Sequence, residues 1–196
     1  MRWDSLFDDL AGQLDDELAV DDDAVRVEAE RLRRGRLTLR ERLVALCGDA
    51  GAPGPLVVEL VDGTTWRLRV RSIGKDWMQA DSGTPGGREV VVPFDAIAAV
   101  AMTQTQIDWS LDDVVVREPR LLDRLTVSFL LRDLCRRRAA VVVRTRTGSW
   151  TGTIDRVGRD HLDLAVHEPG SPRRSRSVEQ IRIIVLAEVV VVERAV

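Results

Sequence analysis

The sequence has almost no lysine, little histidine or cysteine, and no long apolar run. Lys75 is the single lysine among 29 basic residues, which reads as a coding bias toward arginine and not as chemistry. Two histidines, His161 and His167, stand six apart with no cysteine or glutamate at ligand spacing, which argues against a metal site. The two cysteines, Cys47 and Cys135, lie near the ends of two predicted helices and read as small apolar side chains, not as a disulfide or redox pair. No apolar stretch approaches the roughly 18–20 residues needed to span a bilayer, so no membrane partner is expected. The start, MRWDSLFDDL, is acidic and amphipathic and lacks the basic and apolar blocks of a secretory signal; the cytoplasm is the expected compartment.

Catalytic signatures are missing as well. There is no glycine-rich phosphate loop and no nucleophile elbow. The acids Asp15, Asp16, Glu17 and Asp21 to Asp23 lack the alternating spacing and the glycine of a calcium loop. The chain therefore reads as non-enzymatic, with no cofactor and no metal.

What is present is a repeat. LVDGTTWRLRVRSIGKDWMQAD (Leu60 to Asp81) superposes on RTRTGSWTGTIDRVGRDHLDLAV (Arg144 to Val166) with an offset of 84, placing Trp66 on Trp150, Gly74 on Gly158 and Asp76 on Asp160. The lead-ins RLTLRERLVALC and RLTVSFLLRDLC (Arg36 and Arg124 onward) match at an offset of 88. One helix-plus-strands unit is thus written twice.

Periodicity supplies the elements. Residues 4–18 predict an amphipathic helix with an apolar stripe of Leu6, Phe7, Leu10, Leu14 and Leu18, and Trp3 just ahead. Further helices are predicted over Asp23 to Arg34, from the Thr38/Glu41 capping box to near Gly48, and from Pro119 to about Arg136. The last is expected to bury Leu121, Leu122, Leu125, Phe129 and Leu130. At Thr65 the period changes to two: Trp66, Leu68 and Val70 face one way, Arg67, Arg69 and Arg71 the other. Strands with turn glycines follow in both copies. The expected fold is α+β, mainly β: two tandem five-stranded small β-barrels, each preceded by a helix, plus a helical extension. Leu68, Val70, Ile73, Ile154, Val157, Leu162 and Leu164 are the expected interior. The expected division is a helical extension at 1–35, helix and first barrel at 36–103, a linker at 104–118 that packs on the structure, and helix and second barrel at 119–196.

Charge is unevenly spread. Residues 1–30 hold eleven acids and two arginines, residues 31–116 balance, and residues 117–196 carry a net +6 within a total of −3. Two classes of partner follow. A nucleic acid would meet Arg144, Arg146, Arg156, Arg159, Arg173, Arg174 and Arg176 through its phosphates. Against it stand the acidic balance and the lack of an exposed aromatic run for base stacking. A protein partner or a second copy, as in a dimer, would dock on Trp3, Leu6, Phe7 and Leu10 or on the apolar C-terminal strand with Val190 and Val192. The second class is preferred. The run Val189 to Val192 is apolar on both strand faces, so it must be covered on both, at a seam between the barrels or in a dimer. The recurring Asp76 and Asp160 are read as turn residues accepting their own backbone amides, and the recurring tryptophans as core.

A helix, a strand ending in a turn glycine, the pattern VRTRTGSWTGTIDRVGRDHLDLAV (Val143 to Val166) and then EQIRIIVL (Glu179 to Leu186) resemble the Sm-like family of small barrels. The resemblance covers both repeats and implies a barrel fold, assembly into rings by strand-to-strand pairing, and binding of uridine- or adenine-rich RNA. The family's base-contacting Asp and Met-Asn pair are missing: the matching turn reads VGRDHL, with Gly158 in place of the Asp and no Asn. The resemblance therefore does not carry the RNA pocket over.

Overall fold

The computed structural model describes residues 25–47, 54–83, 87–112, 120–168 and 180–195. The predicted helix at 4–18, the docking residues Trp3, Leu6, Phe7 and Leu10, and the candidate contacts Arg173, Arg174 and Arg176 lie outside them, as does the 113–118 part of the predicted linker. The chain divides into two units, 1–39 and 40–196. In the first, helix α1 is described over 25–36, where Glu30 is held between Arg33 (2.6 Å) and Arg34 (2.5 Å) at helical spacing. Those two hydrogen bonds, Arg33 first, lower its carboxyl pKa from 4.5 to about 2.

The second unit is mainly β. Helix α2 (Leu39–Leu46) leads into strands β1 (Leu56–Leu60), β2 (Thr65–Ile73), β3 (Trp77–Ser82), β4 (Glu89–Pro93) and β5 (Ile97–Ala101). Helices α3 (Gln104–Leu111) and α4 (Val127–Arg136) follow, then β6 (Ala140–Thr145), β7 (Gly148–Val157), β8 (His161–Val166), β9 (Gln180–Val185) and β10 (Val189–Arg194). All ten strands join in one antiparallel sheet in the order β5-β1-β2-β3-β4-β10-β6-β7-β8-β9.

That order corrects the expectation of two closed barrels. Closure would need β4 to pair with β5, and β10 with β9. Instead β5 lies against β1 alone, and β4 pairs with β10 of the other repeat, Val91 opposite Val192 and Val90 opposite Glu193. The two five-stranded groups stay open and share a seam. Within each group the repeat is faithful down to its irregularities. A β-bulge follows Val70 in β2 and Ile154 in β7, and another falls at Ala98 in β5 and Val190 in β10. Bulges bend a strand and sharpen its twist, which lets each group curl over its own apolar side.

Two clusters fill the unit. The first gathers Leu43, Leu46, Val58, Leu68, Ile73, Met78 and Val92; the second gathers Leu131, Val143, Ile154, Leu162, Leu164 and Ile184. Strand β10 serves both. Val190 and Val191 pack into the first and Val189 and Val192 into the second, so the bulge distributes four consecutive valines over two cores. Of the expected interior, Leu68, Ile73, Ile154, Leu162 and Leu164 are buried, while Val70 and Val157 are half-buried at the rim. Arg67, Arg69 and Arg71 are exposed.

The helix expected from Pro119 is shorter than predicted. Residues Leu121–Arg124 form a 3-10 turn, and α4 begins only at Val127. Leu121 and Phe129, expected to be buried, are exposed, and Leu131 is the residue of α4 that is fully buried. The break is imposed from the first repeat. The Leu125 carbonyl accepts from the Trp77 indole Nε1–H and from the Lys75 N–H, both at 2.9 Å, and is therefore not free to serve a continuing helix. The linker also holds α3, whose start carries a reciprocal Thr103/Gln106 capping box and whose Ser110 hydroxyl accepts from Arg42 of α2 (2.9 Å).

Candidate functional site

The features that distinguish this molecule from a plain sheet are its seam and its two outer edges. At the seam, the β2–β3 turn of the first repeat meets the start of α4. Gly74 allows the turn: a Cβ there would fall 2.2 Å from the Trp77 indole nitrogen. Asp76 Oδ1 accepts the Val127 N–H at 2.7 Å, so it caps α4 from 51 residues away. A carboxylate there satisfies an orphan amide and complements the positive end of the helix. This corrects the reading of Asp76 as a turn residue bonded only to its own backbone. Arg40 of α2 closes the corner, donating to the Gly74 carbonyl (2.8 Å) and to Asp123 (2.7 Å).

Outside the turn, a cleft of about 420 Å³ opens along the seam between β4, β10 and α4. Its apolar floor is Val91, Val192, Leu130 and Leu134; its mouth carries Glu89, Asp133, Arg137 and Arg194. These charges are already matched. Glu89 accepts from Gln79 and from Arg194 (3.3 Å), and Arg137 donates to Asp133 (2.6 Å). A second cross-seam pair joins Arg88 to Glu193 (3.6 Å). Of these pairs, Glu89–Arg194 and Arg88–Glu193 join β4 and the residue just before it to β10 across the seam, while Arg137–Asp133 lies at the end of α4. Among the described residues no group of three or more His, Cys, Asp or Glu could hold a metal ion. His167 is buried, with Thr153 Oγ1 at 2.9 Å from one ring nitrogen and the Glu168 carbonyl at 3.0 Å from the other. Both cysteines are free thiols, and no described helix is long and apolar enough to cross a membrane.

The described candidate arginines are dispersed. Arg144 reaches across the seam, lying 5.6 Å from the Trp66 ring centre and donating to Glu193 (3.5 Å). Arg146 stands 3.9 Å from Glu188, Arg156 3.8 Å from Asp163, and Arg159 is exposed in the β7–β8 turn. Of the proposed docking residues, Val190 and Val192 are buried at the seam. The recurring tryptophans are half-buried rims of the cores, not their centres; the Trp66 indole donates to the Thr64 hydroxyl (2.9 Å), and Arg182 lies 4.5 Å over the Trp150 ring.

The outer edges are β9 and β5. On β9 the outward side chains Ile181, Ile183 and Val185 are 61%, 73% and 51% exposed. On β5, Ala98, Ala99 and Ala101 are exposed. Sequence reading singled out β10 and passed over β9, although IRIIV shows three large apolar residues at period two, beside an inward-facing Ile184. No family model, curated protein or solved structure matches this chain.

Proposed function

We propose that this chain is a non-enzymatic assembly or protein-interaction module, built on duplicated Sm-like repeats, whose binding elements are the open ends of its sheet. The observation that supports it most is β9, an edge strand presenting Ile181, Ile183 and Val185 to solvent with one row of backbone hydrogen-bonding groups unpaired in the sheet. An apolar edge of this kind is a template for another strand, and solvated proteins ordinarily blunt it with charge or proline. The first repeat has Glu89 and Pro93 where the second has Ile181 and Val185. The Sm-like reading of each repeat rests on its helix, glycine turn and bulged hairpin, and strand-to-strand pairing between units is how that family associates. A nucleic-acid reading draws less support, because Arg144, Arg146 and Arg156 each stand opposite a carboxylate.

A photo-crosslinking residue in place of Ile183, irradiated in an extract of the native cells, tests this. Adducts to protein that survive nuclease and disappear with Ile181→Lys are expected. No adduct, or adducts lost on nuclease treatment, would overturn the proposal.

A further inference from the structure

We infer that the β9 edge is filled by the β5 edge of a second copy of this chain, in the register that β10 adopts on β4; the inference rests on the assembly reading above. The repeat defines the contact. Strand β9 stands to β8 as β4 stands to β3: Leu162 faces Ile184 as Met78 faces Val92. Strand β5 stands to β1 as β10 stands to β6, with bulges at Ala98 and Val190. The pairing of β4 with β10 therefore has a counterpart, β9 with β5, that one chain cannot make with itself while its sheet stays open. Carried over position by position, Val91–Val192 becomes Ile183–Val100, and Val90–Glu193 becomes Arg182–Ala101.

The side chains have changed on both sides in step. The seam's Glu89–Arg194 ion pair corresponds to Ile181 and Met102, and its Arg88–Glu193 pair to Gln180 and Ala101. Both charges are missing together in each case, so neither edge would bury an unpaired one. Size is matched too: the larger Ile183 and Arg182 of β9 replace valines and meet an alanine-rich β5.

A new charge pair replaces those lost. At the seam Arg144 of β6 lies over Trp66. The equivalents are Glu59 of β1, which is exposed, and Trp150, whose ring already carries Arg182 of its own repeat with its Nε buried and without an acceptor. Glu59 lies beside Ala99, on the sheet face that Ala101 shares. Glu59 of one copy thus reaches Arg182 of the other across the small Ala101. An arginine at position 59 would instead have set two cations over one ring. By the same equivalence α2 of the second copy covers the exposed turn at Asp160 as α4 covers Asp76.

The contact is head-to-tail and leaves a free edge at each end, so it propagates until it closes. Light scattering on the purified full-length chain over a concentration series should show mass rising above the monomer. Ile183→Lys and Ala101→Arg should each stop growth alone, with unchanged unfolding midpoints. Mixed, they should form a one-to-one dimer, because each retains the edge the other has lost. Arg182→Glu and Glu59→Arg should each weaken association about tenfold or more, and the two in one chain should restore it. A native chain that is monomeric throughout, a single-edge variant that still dimerises alone, or a mixture that stays monomeric overturns the inference. If the purified chain is monomeric but nuclease-resistant adducts at position 183 persist in extract, the assembly reading stands and the second copy is not the partner.

Discussion

Trp77 and His161 occupy the same place in the two repeats, each the first residue after the glycine turn. One is buried and the other half-exposed. The cause lies outside either hairpin: Trp77 sits under α4, its indole held by the Leu125 carbonyl, whereas the His161 ring stays partly exposed with its Nδ1 2.8 Å from Asp160. The neighbouring aspartates divide in the same way, Asp76 capping a helix and Asp160 pairing with its histidine. Positions facing each repeat's own core, Met78 and Leu162 or Val92 and Ile184, stay apolar in both copies. At these positions the two interiors are alike, while the turns and edges differ according to what meets them.

Exchanging residues between equivalent positions tests that account. Trp77→His should cost about 3–5 kcal/mol, the range for emptying a large aromatic site, with the Leu125 carbonyl left without its indole donor. The reciprocal His161→Trp should change stability by no more than about 0.5 kcal/mol. Equal effects in denaturant unfolding would break the comparison.

Gly152 stands where the first repeat has the buried Leu68, and a Cβ there would lie 2.2 Å from the Ala165 carbonyl oxygen. Gly152→Ala must therefore push β7 from β8, at about 1–3 kcal/mol. A neutral result would show that the two strands can separate freely.

Asp76→Ala removes the cap of α4 and should lower stability by about 0.5–2 kcal/mol, whereas Asp160→Ala in dilute chain should be nearly silent. The smallest effect is in acid. The His161 hydrogen bond holds the Asp160 carboxyl below its usual pKa. The pair's small contribution is therefore present above the unfolded carboxylate pKa and is lost as pH falls through the lowered value. His161 ring shifts that ignored this low-pH step would remove the pairing.

The repeat, the glycine turns, the strand faces and the two-sided burial of Val189 to Val192 were legible because each is a local pattern of period two or a direct self-match. Which edge β4 pairs with was not, since alternation reports the buried face of a strand and says nothing of its neighbour. The break before α4 was hidden for a related reason: it is set by Trp77 and Asp76, far away in sequence. Helix α3 did leave a signal in Thr103 and Gln106, but an eight-residue helix offers too short a period to read.

Because β4 and β10 belong to one chain, their contact is unimolecular, and dilution cannot undo it. Contacts made through β5 and β9 obey mass action. Any assembly they build grows by two five-stranded units at each step, with inner and outer junctions alternating. Its count of such units is therefore always even, and an odd count would require a chain to open its own seam.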